Sequence, residues 1–485
     1  MNRTRQFLWP AALLVLAGFT AARGAPVTEA EAVAVADVWY AMELNSRHVV
    51  FDSAERAERM WLLLDRSVSY QVSTDTVLDS RPQDRTILAY IVKYKPHGLV
   101  VVPGDDRINA VMVFSTGDDF RWDQPERNFL RYYLATEVPA RWQSMQGPAH
   151  GSWTYLRSKL SEPISSVRFE MDTDYPVLWS TAHWDQSPYY NDTVIAHNGN
   201  TSGIPAGCVA TAEAIKMRFH SRPWTGTEAH AYYDNEGDIR YYHSVNFATT
   251  YNWAAMPMEN LSGPNADIAR LMYHCGVSVE MNYESLASGA STGAIANALN
   301  TYFHYKGTEN IHSDTYSHHA AGIKQSVLAR APVNVGGWGH SVVIDGYREP
   351  TTPYYHVNAG WGGYGDDWYH LDSMPPHDTG VVSVSCPYGV PANWFYVDAG
   401  YSGSENGTIQ TPYNTLSEGQ SAVPSGGWLL VKEGLYTGSG NVPITFQTAK
   451  AMVSYNAGTA NVGHKLTLTR YGRIDLVGNG QLKIY

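Results

Sequence analysis

Cysteine is scarce in this chain: Cys208, Cys275 and Cys386 are all that 485 residues contain. A disulfide scaffold needs more, and an odd number leaves at least one thiol unpaired. Charge is also scarce, at 16% of residues, and the formal net charge is −12. That balance excludes the basic face that nucleic-acid phosphates demand. The 44% hydrophobic content excludes a disordered chain. Beyond the first two dozen residues no run is apolar enough to cross a bilayer, so no stable membrane anchor is expected. Metal-ligand spacing is missing too. HSDTYSHH at 312–319 is rich in histidine but lacks supporting ligands, and it reads as a surface loop. No metal and no cofactor are expected.

What is present starts with an export signal. Arg3 and Arg5 precede an apolar stretch from Phe7 to Phe19, followed by the small residues Thr20-Ala21-Ala22. Residues 1–24 therefore read as a signal peptide, and the product as secreted. Residues 25–160 contain no cysteine. They begin with an Ala-rich segment, Glu29 to Glu43, of helical periodicity, and continue with strand-like runs at 88–94, 98–106 and 110–120. A small antiparallel sheet packed on helices is expected there, in a catalytically empty domain that reads as a propeptide. The stretch from 150 to 175 is polar and reads as a linker where processing occurs. Residues 170–395 hold nearly all the chemistry. Residues 396–485 turn rich in Gly, Ser, Thr and Asn, with short apolar runs at intervals near twenty residues. That spacing fits stacked β-coils, a β-helix-like accessory domain, and a β-sandwich would give similar spacing. The fold class is α+β.

Cys208 sits in GIPAGCVATAEAIKMRFH. Gly203, Pro205 and Gly207 make a loop, and the Ala-rich half that follows has a helical apolar stripe. The cysteine therefore opens a helix, where the dipole and unpaired amides stabilise a thiolate and its own amide can bind an oxyanion. Gly207 beside it leaves room for a substrate. A thiolate catalyst needs a base, and the base an orienter. NVGGWGHSVVIDGY offers His340 between a glycine turn, ending at Gly339, and an apolar strand. YYHVNAGWGGYG offers Asn358 at a strand end, with Trp361 three residues on. His356 competes with His340 for the role of base. His340 and Asn358 follow Cys208 by about 130 and 150 residues, the separations of papain-like enzymes. Upstream, AHWDQSPYYND offers Gln186, whose side-chain amide can donate to an oxyanion. Gly207, Gly339 and Trp361 are expected to line the substrate.

These blocks resemble the streptopain family, secreted bacterial cysteine peptidases of the papain superfamily. WDQSPYYN is similar to the family's W-x-Q-x-x-P-Y-N block, and GCVATAEAIKMRFH to its nucleophile helix. GHSVVIDGY is similar to G-H-A-x-V-I-D-G-Y, and HVNAGWGGYGDDWYHLD to H-V-N-W-G-W-G-G followed by D-G-x-F-x-L. The resemblance implies Cys208 as nucleophile, His340 as base, Asn358 as orienter and Gln186 as oxyanion donor, on a papain-like fold. It extends over most of residues 27 to 390, because GLVVVPGDDRINAVMVFSTGDDF is similar to the family's prodomain. One departure stands out. The family commonly has Trp directly after the Asn, and here the position is Ala359. Shielding of the His–Asn pair then falls to Trp361.

The expectation is a secreted cysteine endopeptidase made as a zymogen. It would act on protein or peptide substrates through a thioester, with its own propeptide as intramolecular inhibitor. Two other readings stay open: a Cys-His acyl hydrolase acting on cell-wall peptides, and an inactive secreted binding protein. In the last, the C-terminal segment does the work through polysaccharide or surface contact.

Overall fold

The periodic segment at the N-terminus forms helix α1 (Glu29–Ser46), opened by Glu29 and Glu31 in its first turn, where acidic side chains suit the helix dipole. The computed structural model describes residues 24–46, 56–64, 86–117, 129–130, 133, 141, 147–169, 177–199, 202–234, 240–285, 287–308, 310–313, 319–337, 339–371, 382–385, 388–425, 427–441, 444–446, 451–462, 466–468, 473–476 and 481–484. The signal segment, most of HSDTYSHH, and Cys386 lie outside them. Among the described residues no helix is long and apolar enough to cross a membrane.

Strands β1 (Arg56–Leu64), β2 (Thr86–Tyr94), β3 (Leu99–Pro103) and β4 (Val113–Ser115) follow as an antiparallel meander. The run LVVVP is apolar at every position because both faces of the sheet are covered. Tyr90, Val92, Val100, Val102 and Phe114 point to one side, against Trp39 and Ala36 of α1. Ile91, Leu99, Val101 and Val113 point to the other, into a core they share with Val335, Val342 and Tyr369. The polar stretch expected to be a linker is partly structured. Helix α2 (Gly151–Lys159) buries Trp153 and Leu156, and Asn45 Nδ2 donates to the carbonyls of Ile164 and Val167. Residues 151–169 are thus part of the N-terminal fold, because Asn45 of α1 holds two of its carbonyls and Trp153, Leu156 and Val167 share a core with α1.

The central region divides into a helical half and a sheet half. The first contains α3 (Asp192–His197), α4 (Cys208–His220), the hairpin β6 (Ala229–Tyr233) and β7 (Tyr242–Asn246), α5 (Ala266–Ser278) and α6 (Ala294–Tyr302). Their apolar faces meet in one core around Ile215, Met272 and Leu299. The second contains β5 (Val177–Leu178), β8 (Tyr305–Lys306), β9 (Asn310–Ser313), α7 (Ala320–Leu328), β10 (Val333–Gly337), β11 (His340–Arg348), β12 (Tyr354–Asn358), β13 (Asp367–Tyr369), β14 (Val382–Ser385) and β15 (Val390–Pro391). The N-terminal strands do not make a separate sheet. β4 pairs antiparallel with β13, Phe114 opposite Trp368, so one 11-stranded sheet runs β1-β2-β3-β4-β13-β12-β11-β10-β14-β9, with β5 on β11.

The C-terminal segment holds β16 (Trp394–Val397), α8 (Leu416–Ala422), β17 (Trp428–Tyr436), β18 (Ile444–Phe446), β19 (Ala451–Val462), β20 (Leu466–Leu468), β21 (Arg473–Leu476) and β22 (Gln481–Ile484). Among the described residues every strand pair in it is parallel. It is seated on the sheet half, where Trp394, Tyr396, Ile409 and Leu430 pack against Ala329 and Ala331.

Candidate active site

Cys208 is the first residue of α4. Gly207 before it has φ 91, a left-handed conformation that glycine adopts without strain, and this turns the chain sharply into the helix. The thiol is partly exposed, and the Ser341 amide donates toward its sulfur. Burial nonetheless pushes its pKa above the usual value. Gly207 itself is not open to solvent, since the Met281 thioether and the Ser288 side chain press on it. Gly339, by contrast, has φ 71 and open space around it. Gln186 is brought beside the nucleophile turn through its carbonyl, which accepts from the Ala206 amide at 3.0 Å.

His340 opens β11, one residue before the amide that faces the thiol. Its Nε2 lies 2.8 Å from the Ala359 carbonyl. A carbonyl only accepts, so Nε2 carries the proton and Nδ1 is the basic nitrogen. The ring stacks on Trp361 at a centroid distance of 4.0 Å and 20°. Phe129, from the N-terminal region, lies 6.4 Å from the same ring. Burial lowers the His340 pKa to about 4, against the opposing effect of the Ala359 carbonyl. Both shifts favour the uncharged forms, thiol and imidazole. Among the described residues no hydrogen bond joins Cys208 to His340.

Asn358 ends β12 as the spacing predicts, but its amide does not bond to His340. Its Nδ2 donates to Thr181 Oγ1 at 2.9 Å and to the Ala182 carbonyl at 3.0 Å, and its Oδ1 accepts from the Gly360 amide at 3.0 Å. That last contact connects it to His340 through one peptide group. The N–H of the 359–360 peptide is held by Asn358, and the C=O of the same peptide holds His340. Such chained hydrogen bonds polarise one another. The shield expected of Trp361 is seen as direct ring stacking on the histidine. His356, the competing base, is engaged elsewhere: its Nδ1 is 2.6 Å from Asp345 Oδ1. Burial opposes its charge, but Asp345 outweighs this and raises its pKa.

Sequence reasoning missed the support around this loop. Thr181 donates to Asp345 Oδ2 and accepts from Asn358. Asp366 Oδ1 accepts from the Ala359 amide at 2.8 Å, and its Oδ2 is 3.0 Å from His183 Nδ1. Asp345 and Asp366 sit inside the blocks already singled out, in VVIDGY and GYGDD. Their buried carboxylates, not their spacing, mark them. Among the described residues no group of acidic, histidine or cysteine side chains could hold a metal ion. Cys275 is a buried free thiol, 3.8 Å from the Met217 sulfur and raised well above its usual pKa by burial.

Comparison with known proteins agrees with this layout. Residues 184–369, from Trp184 before Gln186 to the end of β13, match the model of the Peptidase C10 family. The chain carries a streptopain-like cysteine peptidase domain. Streptopain of Streptococcus pyogenes is 27% identical over 319 residues, covering 60% of this chain and 76% of that protein. The thiol protease/hemagglutinin PrtT of Porphyromonas gingivalis is 26% identical over 343 residues, covering 63% of this chain and 36% of PrtT, so the match spans about a third of that relative. A prointerpain A fragment from Prevotella intermedia shares the fold, with a TM-score of 0.50 at 24% identity over 62% of this chain and 95% of that one. β14, β15 and all strands from β16 onward lie beyond the C-terminal end of the family match.

Proposed function

We propose that the chain is a secreted cysteine endopeptidase made as a zymogen, with Cys208 as nucleophile and His340 as base. One observation carries the reading. Two distant segments, the start of α4 and the start of β11, bring Cys208 to the backbone next to a histidine whose proton is fixed on Nε2. In the working enzyme Nδ1 of His340 takes the thiol proton and the sulfur attacks the scissile carbonyl. The oxyanion meets the Cys208 amide and the Gln186 side chain. His340 then protonates the departing amine, and water hydrolyses the thioester to free the thiol.

The latent state is supported by the same geometry. Burial is the leading cause of both pKa shifts, and Phe129 of the prodomain contributes to covering the imidazole. Removing the prodomain would hydrate the pair and favour the charged thiolate–imidazolium form. The boundaries adopted are a signal peptide at 1–24, a propeptide at 25–160, the peptidase at 170–395 and an accessory domain at 396–485. The parallel pairing of β16, β17, β19 and β21 supports a short β-helix for the last of these.

The test is hydrolysis of casein by secreted, processed protein, beside its Cys208→Ala variant and the unprocessed precursor. The expected result is activity in the first alone, with alkylation of Cys208 rising steeply on processing. Equal activity of Cys208→Ala would overturn the nucleophile, and equal activity of the precursor would overturn latency. Cleavage of cell-wall peptides with no action on casein would replace protein by peptidoglycan peptides as the substrate.

A further inference from the structure

Two hydrogen-bond routes converge on Ala359, the residue whose carbonyl holds His340. One is the Asn358 amide acting through the 359–360 peptide. The other starts at the surface. His183 has its side chain half exposed, and its Nδ1 lies 3.0 Å from Asp366 Oδ2, on a carboxylate only 5% exposed. The second oxygen of Asp366 accepts from the Ala359 amide at 2.8 Å. Ala359 is therefore gripped at both of its backbone polar groups, by a carboxylate on the amide and by the imidazole on the carbonyl. The segment between is tight. Gly360 and Gly362 both have φ 68, and the Gly362 amide donates to the Trp184 carbonyl at 2.9 Å, next to His183.

We infer that Asp366 and His183 form a positioning pair for His340, Asp366 fixing Ala359 and the positive charge of His183 tightening that hold. The inference rests on the peptidase reading above and adds to it a pH-dependent control. Neither residue touches the reacting atoms. A charge-assisted hydrogen bond is roughly twice as strong as a neutral one, so Asp366 is held most firmly while His183 is protonated. Asp366 raises the His183 pKa, and Asp345 acts in the same direction while His356 opposes. The charge is therefore kept to higher pH than an isolated histidine allows. It is lost as pH rises through that raised value, and with it the tightest setting of the His340 anchor.

The test measures kcat and KM separately from pH 5 to 9 on processed enzyme with a peptide-amide substrate. Asp366→Ala should lower kcat by about tenfold or more with KM within about twofold, the signature of a misplaced catalytic group. Asp366→Asn keeps an acceptor for the Ala359 amide and should recover most of the loss. His183→Gln keeps a donor without the charge. Its kcat should lie below wild type at pH 6 and lose the decline that wild type shows as His183 deprotonates. Melting temperature and stoichiometric alkylation of Cys208 report folding in each variant. Equal losses in Asp366→Ala and Asp366→Asn that follow melting temperature would reduce the pair to a structural role, and wild-type kcat in both would remove it. A His183→Gln profile superimposable on wild type would overturn the part played by charge. Full activity in Cys208→Ala would instead sink the peptidase reading, so the two failures are distinct.

Discussion

Glu213 lies five residues along the nucleophile helix, fully buried, and its carboxyl accepts only from Ser278 Oγ at 3.2 Å among the bonds seen. Burial raises its pKa well above the usual carboxylate range. A raised folded-state pKa means that the folded chain binds the proton more tightly than the unfolded one. Its contribution is complete below the unfolded pKa and is lost as pH rises toward the folded one, by at most about 1.4 kcal/mol per pH unit. Glu213→Gln should therefore flatten the decline of stability above pH 5, and its melting temperature relative to wild type should climb with pH. Thermal melts from pH 4 to 9 check this; parallel curves would contradict it. Asn358 teaches a different lesson at this scale. Its place at a strand end was legible from HVNAGWGG, yet its partner was not. Residue type cannot say whether an imidazole meets a side-chain amide or a backbone carbonyl one residue away.

At the scale of elements, the start of α4 was the most legible feature, because a Gly-Pro-Gly loop meeting an Ala-rich stripe has few other solutions. What the pattern misjudged is the use of Gly207. A β-carbon there would come within 2.8 Å of the Met281 thioether, and φ 91 disfavours any other residue. The glycine permits the turn and the close packing of α4 on the Met281 segment, and it is Gly339 that has open space around it. Gly207→Ala should lose about 1–3 kcal/mol of stability from backbone strain and overpacking. It should also displace the Cys208 thiol. Urea titration and alkylation rate measure the two effects. Gly339→Ala, which meets only strain, should leave thiol reactivity close to wild type.

At the scale of the molecule, the N-terminal region is joined to the peptidase domain by more than a covering surface. β4 extends the sheet at β13, and Tyr354 donates to the Val111 carbonyl at 2.7 Å. Glu43 of α1 pairs with Arg348 at the end of β11 at 2.7 Å, with both side chains almost fully buried. The Arg348 guanidinium also lies over Phe114 and Trp368, at 5.2 and 5.7 Å. Removing one member of a buried pair costs about 3–5 kcal/mol, because the other is left charged without its partner. Glu43→Ala should thus weaken the precursor by that order in urea melts and speed its processing. The isolated peptidase domain carrying the wild-type Arg348 serves as the control. Unchanged precursor stability would show that the pair is replaced by other contacts.

The order of motifs along the chain by itself marked the candidate site. A cysteine at a helix start, a histidine at a strand start and an asparagine at a strand end can be recognised because each depends on neighbours within a few residues. The polar 151–169 stretch and the shared sheet depend on partners more than a hundred residues away, such as Asn45 with Val167 and Phe114 with Trp368. So does the state of Cys208 and His340. Whether they are ionised or neutral follows from how deeply the assembled halves bury them, and only the tertiary structure decides that.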